Sequence, residues 1–426
     1  MREGYKQTEL GEIPEDWEVV SISHISSLVT NGFVGKATDH YTDQDDGVIY
    51  IQGYNVEENS FNYRGIKSVT RKFHLSHQKS CLRKDDLLTV QTGDVGLTTI
   101  VPIDLVGANC HALIITRLKR HLAYPKFFSY YFNSSAGRAR MKELEIGTTM
   151  KHINVSDLLA WAVVLPPEIH EQRAIAEALS GVDGLIDGLE KLIAKKRDIK
   201  TATMQQLLTG KTRLPGFGAD KGYKQTELGE IPEDWEVSGF GDSVEKIVGG
   251  GTPSRANPLY WGEGIPWATV KDFSTFDTKK TQESITLHGL KNSSSNFIPK
   301  GTVITSTRMA VGKAVVYDID VAINQDLKAI YPKHNLDTGY LYYWFQHNGG
   351  ILEEMGSGST VMGLSLIDLR GVLFLRPGSK QEQRAIIEVL TNMDKELKSL
   401  QARLTKTKSI KQGMMQELLT GKTRLL

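Results

Sequence analysis

An internal repeat is the feature of this sequence that most limits how the chain can fold. The sixteen residues GYKQTELGEIPEDWEV, from Gly4 to Val19, recur without change from Gly222 to Val237. A second pair of segments, Glu171 to Leu214 and Glu382 to Leu425, aligns without gaps and is identical at about half of its positions. Self-similarity at a fixed period indicates copies of one structural unit. The chain is therefore a tandem duplication with a period of about 210 to 220 residues.

Between these repeated blocks the two copies diverge. Ser21 to Glu168 and Ser238 to Ser379 align only through scattered turns and polar clusters. Two copies that drifted evenly would not keep near-identical blocks beside segments that have lost their resemblance. The sequence therefore predicts a duplicated frame that holds two different inserts.

The second repeated block carries an apolar stripe with alternating steps of four and three residues, the spacing of a heptad seam. The seam residues are Ile175, Leu179, Val182, Ile186, Leu189 and Ile193, and, each 211 positions later, Ile386, Leu390, Met393, Leu397, Leu400 and Leu404. Gly210 and Gly421 follow the stripes, where a glycine suits the left-handed position after a helix. The first stripe predicts a helix from about Glu171 to Leu208, roughly 55 Å long at 1.5 Å per residue.

A helix of that length needs a partner to cover its apolar seam. Two such helices in one chain predict an antiparallel pair, and the alternative is that each helix packs only on its own insert. The last block of the chain, LLTGKTRLL, and its first block are joined internally through Pro215 to Gly218, so the order of the blocks is circular. If both junctions fold alike, the two termini lie close together and the molecule has approximate two-fold symmetry.

Each insert has short strands separated by Gly, Asn and Asp turns, followed by an aromatic helix. The strand candidates include Gly47 to Ile51, Asp86 to Val90 and Gly301 to Thr305, and the helix candidates are Tyr124 to Asn133 and Thr338 to Asn348. Their aromatic residues could stack on nucleobases, but a helical aromatic stripe more often belongs to the core. The predicted fold class is α+β: two globular α/β domains separated by two long helices in an antiparallel coiled coil, with an internal pseudo-two-fold repeat.

Composition limits the class of protein. The 51 Lys plus Arg against 50 Asp plus Glu give a net charge of +1, so nucleic-acid binding would have to come from local patches or partners. Cys81 and Cys110 are isolated, which excludes a disulfide framework, leaves no four-ligand zinc site to propose, and favours a reducing cytoplasm. The sequence has no signal-peptide h-region and no run of about 18 apolar residues. We expect a cytoplasmic protein without a metal site.

The motifs of a catalytic centre are missing. The Pro-Pro pair in Leu165 to Glu168 lacks the polar and aromatic neighbours that would hold a target amino group. Gly210 to Thr212 and Gly421 to Thr423 imitate the end of a P-loop, but glutamine replaces the upstream glycine and a helix precedes in place of a strand. The sequence therefore predicts neither a methyltransferase nor a nuclease centre in this chain.

Several short motifs lie at the start of each half, within the inserts and at the ends of the long helices. They are GEIPEDWEV at the start of each half, Gly250 to Ser254, Pro299 to Gly301, Asn324-Gln325, the LPPE-to-EQRAI junction, and LLTGKTRL after each helix. With these motifs the sequence resembles the specificity (S) subunits of Type I restriction-modification systems over essentially its whole length. The first half departs from the pattern, since it has Val34 to Ala37 and Arg83 to Asp85 where the second has the Gly-Gly-Thr-Pro-Ser and Pro-Lys-Gly turns.

The resemblance implies a non-catalytic subunit that selects the DNA sequence for an enzyme complex. Such a subunit joins two modification (M) subunits in an adenine methyltransferase that uses S-adenosylmethionine bound by the M subunits. Restriction (R) subunits, which use ATP and Mg, are added for cleavage. Each insert is then a target-recognition domain for one half of an asymmetric bipartite site in double-stranded DNA, while the helices set the unread spacer and dock the M subunits. The implied domains are residues 1–170 (recognition domain 1), 171–214 (first shared helix), 215–381 (linker and recognition domain 2) and 382–426 (second shared helix).

Polar loops of the two inserts supply the candidate DNA contacts, and Asn109-Cys110-His111 is matched here with Asn324-Gln325-Asp326. Lys and Arg grip phosphates or guanine, while Asn, Gln, Ser and Thr read base edges; turn formation and solvated charge are the alternatives. The candidate phosphate or guanine contacts are Lys67, Arg71, Lys72, Lys151, Lys271 and Arg308. The candidate base readers are Gln91, Thr92, Asn109, Thr307, Asn324 and Gln325. The other candidates are Asp94, His111, Thr148, Thr149, Thr252, Ser254, Arg255, Thr305, Ser306, Ser359 and Thr360.

Two other functions stay open from the sequence. A coiled-coil scaffold whose twin domains bind protein or carbohydrate would fit the near-neutral charge, and absence of DNA binding even with M subunits would favour it. An unrecognised nuclease or fused methyltransferase would be established by metal-dependent cleavage, or by methyl transfer by this chain alone.

Overall fold

The computed structural model divides the chain into two compact units, and each contains one insert and one end of each of two long helices. The described residues are 2–148, 151–218, 221–357 and 363–425. The first unit is Met1–Glu190 with Ala402–Leu426, and the second is Lys191–Gln401. The long helices are Ile169–Leu208 and Lys380–Leu418. The predicted α+β fold with two long helices is confirmed.

The first unit is built on a four-stranded antiparallel sheet and a three-stranded mixed sheet. The larger sheet has the order Thr98–Ile100, Leu87–Val90, Leu113–Leu118 and Ser26–Asn31. The mixed sheet has the order Asn109–Cys110, Val48–Ile51 and Lys67–Val69, and its first two strands are parallel. The strand pairs are Tyr5–Thr8 with Gly11–Pro14, Glu18–Ser21 with Ala162–Leu165, and Val56–Glu57 with Ser60–Phe61. The short helices are Ile22–Ile25, Thr38–His40, Gly53–Asn55, Arg71–Ser76, Gln78–Ser80, Ile103–Leu105, Pro125–Asn133, Ser135–Glu143 and Val155–Ala160.

The second unit has two four-stranded sheets. The antiparallel sheet has the order Val244–Gly249, Leu327–Pro332, Val303–Ser306 and Ala314–Val316. The mixed sheet has the order Glu283–Ile285, Trp261–Ala268, Val321–Ile323 and Asn296–Ile298, and its two central strands are parallel. The strand pairs are Tyr223–Thr226 with Gly229–Pro232, and Trp235–Gly239 with Leu373–Pro377. The other helices are Phe240–Ser243, Pro258–Tyr260, Val270–Phe273, Leu287–Lys291, Thr338–Ser357 and Leu366–Gly371.

The aromatic helices of both inserts lie in the core, as their stripes predicted. Their fully buried side chains are Phe127, Phe128, Phe132, Tyr340, Leu341 and Phe345. The core of each unit continues onto the ends of both long helices, which supply Ile175, Leu179 and Leu418 in the first unit and Met204, Ile386 and Leu390 in the second. Burial of apolar side chains at roughly 25 cal/mol per Å² therefore joins each insert to both helices.

Within each unit the two helix ends pack antiparallel. In the first unit Lys411 Nζ lies 2.8 Å from Asp183 Oδ1, and Lys408 Nζ lies 2.7 Å from Glu190 Oε1. Residue numbers thus rise along one helix as they fall along the other. The second unit has the same sense, with the pairs Lys196 with Glu396 and Lys200 with Asp394.

The predicted seam is covered. None of its twelve residues is exposed, and Ile175, Leu179, Leu189, Ile193, Ile386, Leu390 and Leu404 are buried. The antiparallel pairing of the helices is confirmed within each unit. The alternative was that each helix packs only on its own insert. The helices do pack on the inserts, but they also pack on each other within each unit.

The start and the end of the chain meet in the first unit, as the circular order of the blocks predicted. Arg2 Nη1 donates to the Lys422 carbonyl at 2.8 Å, and the Tyr5 hydroxyl donates to the Gly421 carbonyl at 2.9 Å. Gly421 has a φ of +72°, and a Cβ there would collide with the ring of Pro14. The left-handed glycine after the helix is confirmed, and close packing requires it as well.

An arginine closes this junction. The Arg424 guanidinium donates to both carboxylate oxygens of Asp16, at 2.8 and 3.0 Å, and to the buried Glu171 at 2.9 Å. Trp17 Nε1 also donates to Glu171, at 3.2 Å. We call this set the arginine clamp.

The second unit has its own clamp. Its arginine, Arg213, stands 211 residues before Arg424, and its buried glutamate, Glu382, stands 211 residues after Glu171. Arg213 donates to both oxygens of Asp234, at 2.8 and 3.0 Å, and to Glu382 at 2.6 Å. Trp235 Nε1 donates to Glu382 at 3.3 Å. Both copies of the frame thus fold alike to the level of single hydrogen bonds.

Candidate functional site

In the second unit the Gly-Gly-Thr loop packs against the turn after the strand Val321–Ile323. A Cβ at Gly250 would collide with the Ile323 carbonyl, so the close approach requires glycine. Thr252 Oγ1 donates to Gln325 Oε1 at 2.6 Å, and both side chains are exposed. The structure therefore brings two predicted contacts together on one surface.

Arg255 lies on the same loop and is held in a fixed orientation. Its guanidinium lies 3.6 Å from the ring centroid of Trp261, and its two Nη atoms donate to Glu283 at 2.6 and 2.9 Å. The hydrogen bond from Arg255 lowers the pKa of Glu283 against the effect of burial, and the charge of Lys271 lowers it further. The planar cation is exposed and positioned, which suits contact with phosphate or guanine.

Several other candidates in this unit are buried and bonded within it. Thr305 Oγ1 donates to the Lys313 carbonyl at 2.9 Å, and Thr307 Oγ1 donates to the Asp326 carbonyl at 3.3 Å. Asn324 Nδ2 donates to the Asp326 carboxylate at 3.0 Å. These side chains hold the loops in place, and their use as base readers stays a prediction.

Arg308 and Lys328 give this surface a positive edge. Arg308 is exposed, and the buried Ser306 hydroxyl donates to its carbonyl. Lys328 Nζ donates to the Gln325 carbonyl at 2.6 Å. Burial lowers the pKa of Lys328, and the charge of Arg308 lowers it further against the attraction of Asp326. A cation that is partly desolvated beside another cation favours an anionic ligand.

In the first unit Asn109 is fully buried and bonded through both amide atoms. Its Oδ1 accepts from His74 Nδ1 at 2.6 Å, and its Nδ2 donates to the His77 carbonyl at 3.0 Å and to Ser80 Oγ at 2.8 Å. Asn109 therefore anchors the helix Arg71–Ser76 to the mixed sheet, and its role as a base reader stays a prediction.

His111 is half-buried beside this anchor. Its Nδ1 lies 3.0 Å from the Tyr50 hydroxyl, and burial lowers the pKa of the imidazole below its ordinary value. A lowered pKa keeps the ring uncharged near neutral pH, where one ring nitrogen donates and the other accepts a hydrogen bond.

The two units place different residues at the same point of the fold. The backbone N–H of His111 donates to the Ile51 carbonyl at 2.8 Å, and that of Asn324 donates to the Ala268 carbonyl at 3.1 Å, in corresponding parallel strand pairs. The two clusters matched from the sequence, Asn109-Cys110-His111 and Asn324-Gln325-Asp326, are therefore offset by two positions, because His111 stands where Asn324 stands in the second unit.

The polar residues after the strand Leu87–Val90 of the first unit bond to other parts of that unit. Gln91 Nε2 donates to the Ile153 carbonyl at 2.9 Å, and Thr92 forms a strand bridge with His152. Asp94 pairs with Arg138. Lys151 Nζ lies 3.3 Å from Glu145. Of this group only Asp94 and Lys151 are exposed.

Three basic candidates of the first unit remain open to solvent. Lys67, Arg71 and Lys72 are exposed, and none of them forms an ion pair within the described part of the chain. Arg71 and Lys72 lie on the helix that Asn109 anchors, so the anchor places two cations at the edge of the mixed sheet. Thr148 is also exposed, whereas Thr149, Ser359 and Thr360 lie outside the described residues.

We call the polar loops around Thr252, Arg255, Arg308 and Gln325 the second surface, and those around Lys67, Arg71, Lys72, Asn109 and His111 in the first unit the first surface. Sequence reasoning did not single out three residues of the second surface. Trp261 and Lys328 lie within strands, where they carry no motif, and Met309 is an apolar residue in a polar loop. The sequence contained a signal for Met309: three residues before the shared glycine, Gly96 or Gly312, the first copy has Gly93 where the second has a methionine.

Among the described residues, no group of three or more His, Cys, Asp or Glu is arranged to hold a metal ion. None of the helices there combines the length and apolar content that a membrane span needs.

Comparison with known families and proteins gives a consistent result. The family model for the Type I restriction modification DNA specificity domain matches residues 14–196 and 232–408. The chain is 25% identical to the MjaX type I restriction enzyme specificity subunit of Methanocaldococcus jannaschii, over 99% of this chain and 97% of that protein.

Two solved structures resemble this one in fold. A chain from a study of complex assembly and conformational transition in the type I R-M system has a TM-score of 0.60 and 19% identity, over 96% of this chain and 99% of that chain. The S subunit of a Type I restriction-modification system from M. genitalium has a TM-score of 0.56 and 17% identity, over 94% of this chain and 96% of that chain.

Proposed function

The chain belongs to the family of Type I restriction-modification DNA specificity subunits, and from this premise we propose that each unit reads one half of an asymmetric bipartite DNA site. The catalytic activities of such an enzyme belong to its partner subunits. One observation carries the proposal: the same frame holds two different polar surfaces. His111 in one unit and Asn324 in the other stand at the same point of the fold. Two different half-sites require such a difference.

The two long helices are proposed to set the length of the unread spacer. The helix Ile169–Leu208 has 40 residues, which corresponds to roughly 60 Å at 1.5 Å per residue. One turn of B-DNA spans about 34 to 36 Å. A protein helix longer than one turn of DNA favours half-sites that are separated by a gap. We propose the same domain bounds as the sequence implied: residues 1–170, 171–214, 215–381 and 382–426.

The proposed partners follow from the family. Two M subunits would dock on the helices, bind S-adenosylmethionine and receive the flipped adenine. R subunits with ATP and Mg would add cleavage. These partners act on DNA inside the cell, so we also propose a cytoplasmic location.

Methylome sequencing tests this function. A host that carries the adjacent M gene is sequenced with and without this chain, and methyladenine is mapped at single-molecule level. A bipartite motif that appears only with this chain is the expected result. A continuous motif would overturn the two-unit model, and absence of any motif would favour the scaffold function.

A further inference from the structure

The same turn follows the strands Leu87–Val90 and Val303–Ser306 in the two units. Gly96 N donates to the Val90 carbonyl at 2.9 Å, and Gly312 N donates to the Ser306 carbonyl at 3.1 Å. Three residues before each of these glycines stand Gly93 and Met309, so the two residues occupy the same position of the turn.

A second backbone contact supports this register. Ile153 N donates to the Gln91 carbonyl at 3.2 Å, and Leu364 N donates to the Thr307 carbonyl at 2.9 Å. Gly93 follows Gln91 by two residues, as Met309 follows Thr307. The correspondence therefore rests on hydrogen bonds on both sides of the turn.

This position requires a left-handed backbone. Gly93 has a φ of 94° and Met309 a φ of 63°. Glycine adopts that conformation without steric cost, whereas the Cβ of any other residue meets the following carbonyl oxygen. The other non-glycine residues with positive φ among those described are Asn59, Asp85 and Ala112, so Met309 is the case with a large apolar side chain. The second unit keeps a strained residue where the first has the relaxed one.

The side chain of Met309 gains nothing from packing in return. It is 82% exposed. The turn that carries it is held firmly: Ala310 N donates to the Arg308 carbonyl at 2.8 Å, and Lys313 N donates to the Ala310 carbonyl at 3.1 Å. Val311, two residues after Met309, is buried. An apolar side chain is thus presented to solvent at the tip of a hydrogen-bonded turn, beside an exposed arginine.

We propose that Met309 is a specificity-determining residue, which makes an apolar contact with the bases of the half-site that the second unit reads. The inference rests on the proposed function. Apolar side chains contact the thymine methyl group or enter between base steps, and methionine is among the residues that do so. Arg308 and Lys328 would hold the neighbouring phosphates and bring the tip to the groove.

Substitutions at this position separate a DNA contact from a structural role. Met309→Gly installs the residue of the first unit, and Met309→Asn installs a polar residue that tolerates the left-handed conformation. Both relieve strain, so the thermal unfolding temperature is expected to stay the same or rise. Met309→Leu keeps an apolar side chain of similar volume and serves as the matched control.

The test measures competitive binding and methylation of duplexes by the complete complex with M subunits. Met309→Gly and Met309→Asn are expected to weaken binding to the cognate site by about tenfold, within the range of one base contact. Their methylated motif should become degenerate in one half-site only. Met309→Leu should retain the motif.

Three outcomes would overturn the inference. Unchanged affinity and motif in the glycine and asparagine variants would show that the tip makes no base contact. A loss of binding that is matched by a lower unfolding temperature would show a structural role. If the wild-type complex recognises no bipartite site, the proposed function fails, and this inference fails with it. If the wild type recognises such a site and the glycine and asparagine variants behave like the wild type, only this inference fails.

Discussion

The repeated frame and the two polar surfaces differ in how the duplication has treated them. Hydrogen bonds from the inserts to the long helices of the frame recur in both copies: the Tyr130 hydroxyl donates to Asp183 at 2.6 Å, and the Tyr343 hydroxyl donates to Asp394, the counterpart of Asp183, at 2.8 Å. The two clamps repeat in the same way, with distances that agree within a few tenths of an ångström. The two copies of the frame therefore keep the same side-chain contacts.

The two surfaces keep the backbone and change the side chains. At the same point of the turn one unit has Gly93 and the other Met309, and at the end of the parallel strand one has His111 and the other Asn324. Both surfaces bury an asparagine, Asn109 in the first unit and Asn324 in the second, and the second surface also exposes Gln325 and Arg255. One frame can therefore carry surfaces of different chemistry without being rebuilt.

Breaking a clamp is expected to have the largest effect on stability. In Arg424→Ala the carboxylate of Glu171, 2% exposed, would lose its charged partner, which typically costs about 3 to 5 kcal/mol of folding free energy. Arg213→Ala should cost a similar amount through Glu382, also 2% exposed. Urea unfolding of the purified chain, followed by far-UV circular dichroism, measures both.

Lys221→Ala is the matched control for the clamp. Lys221 also bonds Asp234, at 2.9 Å, but its side chain is 55% exposed. An exposed pair contributes at most about 1 kcal/mol, so this variant should unfold close to wild type. If one clamp arginine could be removed without loss while the other could not, the two frames would not be equivalent.

The frame was largely predictable from the sequence, and the surfaces were not. The heptad stripe and the Thr-Gly pairs are local signals, and they predicted helix ends at Leu208 and Leu419, before Gly210 and Gly421. The helices of the structure end at Leu208 and Leu418. Whether a loop asparagine meets solvent depends on residues far away in the chain. Asn109 is satisfied by His77 and Ser80 from another segment, and nothing beside it in the sequence indicates this.

Asn109→Ala tests whether the first surface uses its buried polar groups for structure. The variant would leave His74 Nδ1 without its acceptor and would remove one donor from the His77 carbonyl and from Ser80 Oγ, which should cost about 1 to 3 kcal/mol. Gln325→Ala removes an exposed side chain, so its stability should change by less than about 0.5 kcal/mol.

The methylated motif of the same two variants sharpens the contrast. Gln325→Ala should alter the motif, because its side chain faces solvent on the second surface. Asn109→Ala should lower the unfolding temperature and leave the motif unchanged. A stable Asn109→Ala protein with an altered motif would show that the buried asparagine reads bases after all.

Lys72→Ala probes phosphate binding at the first surface and should have a smaller effect. Lys72 is exposed on the helix that Asn109 anchors. Loss of one phosphate contact lowers the slope of log K against log salt by about 0.9 and weakens binding to all sequences alike. Salt titration of duplex binding by the complex measures the slope. A changed motif would instead assign Lys72 to a base.

The smallest expected effect is a pH dependence confined to the first unit. Burial lowers the pKa of His111 below its ordinary value of 6.5. As pH falls through that value, the unfolded chain takes up the proton before the folded protein does, so stability decreases until the folded pKa is passed. His111→Asn installs the residue that the second unit has at this point and should remove this part of the acid sensitivity. Unfolding free energies of wild type and variant, compared across that range, measure the effect; parallel pH profiles would place the imidazole in solvent and remove this difference between the two surfaces.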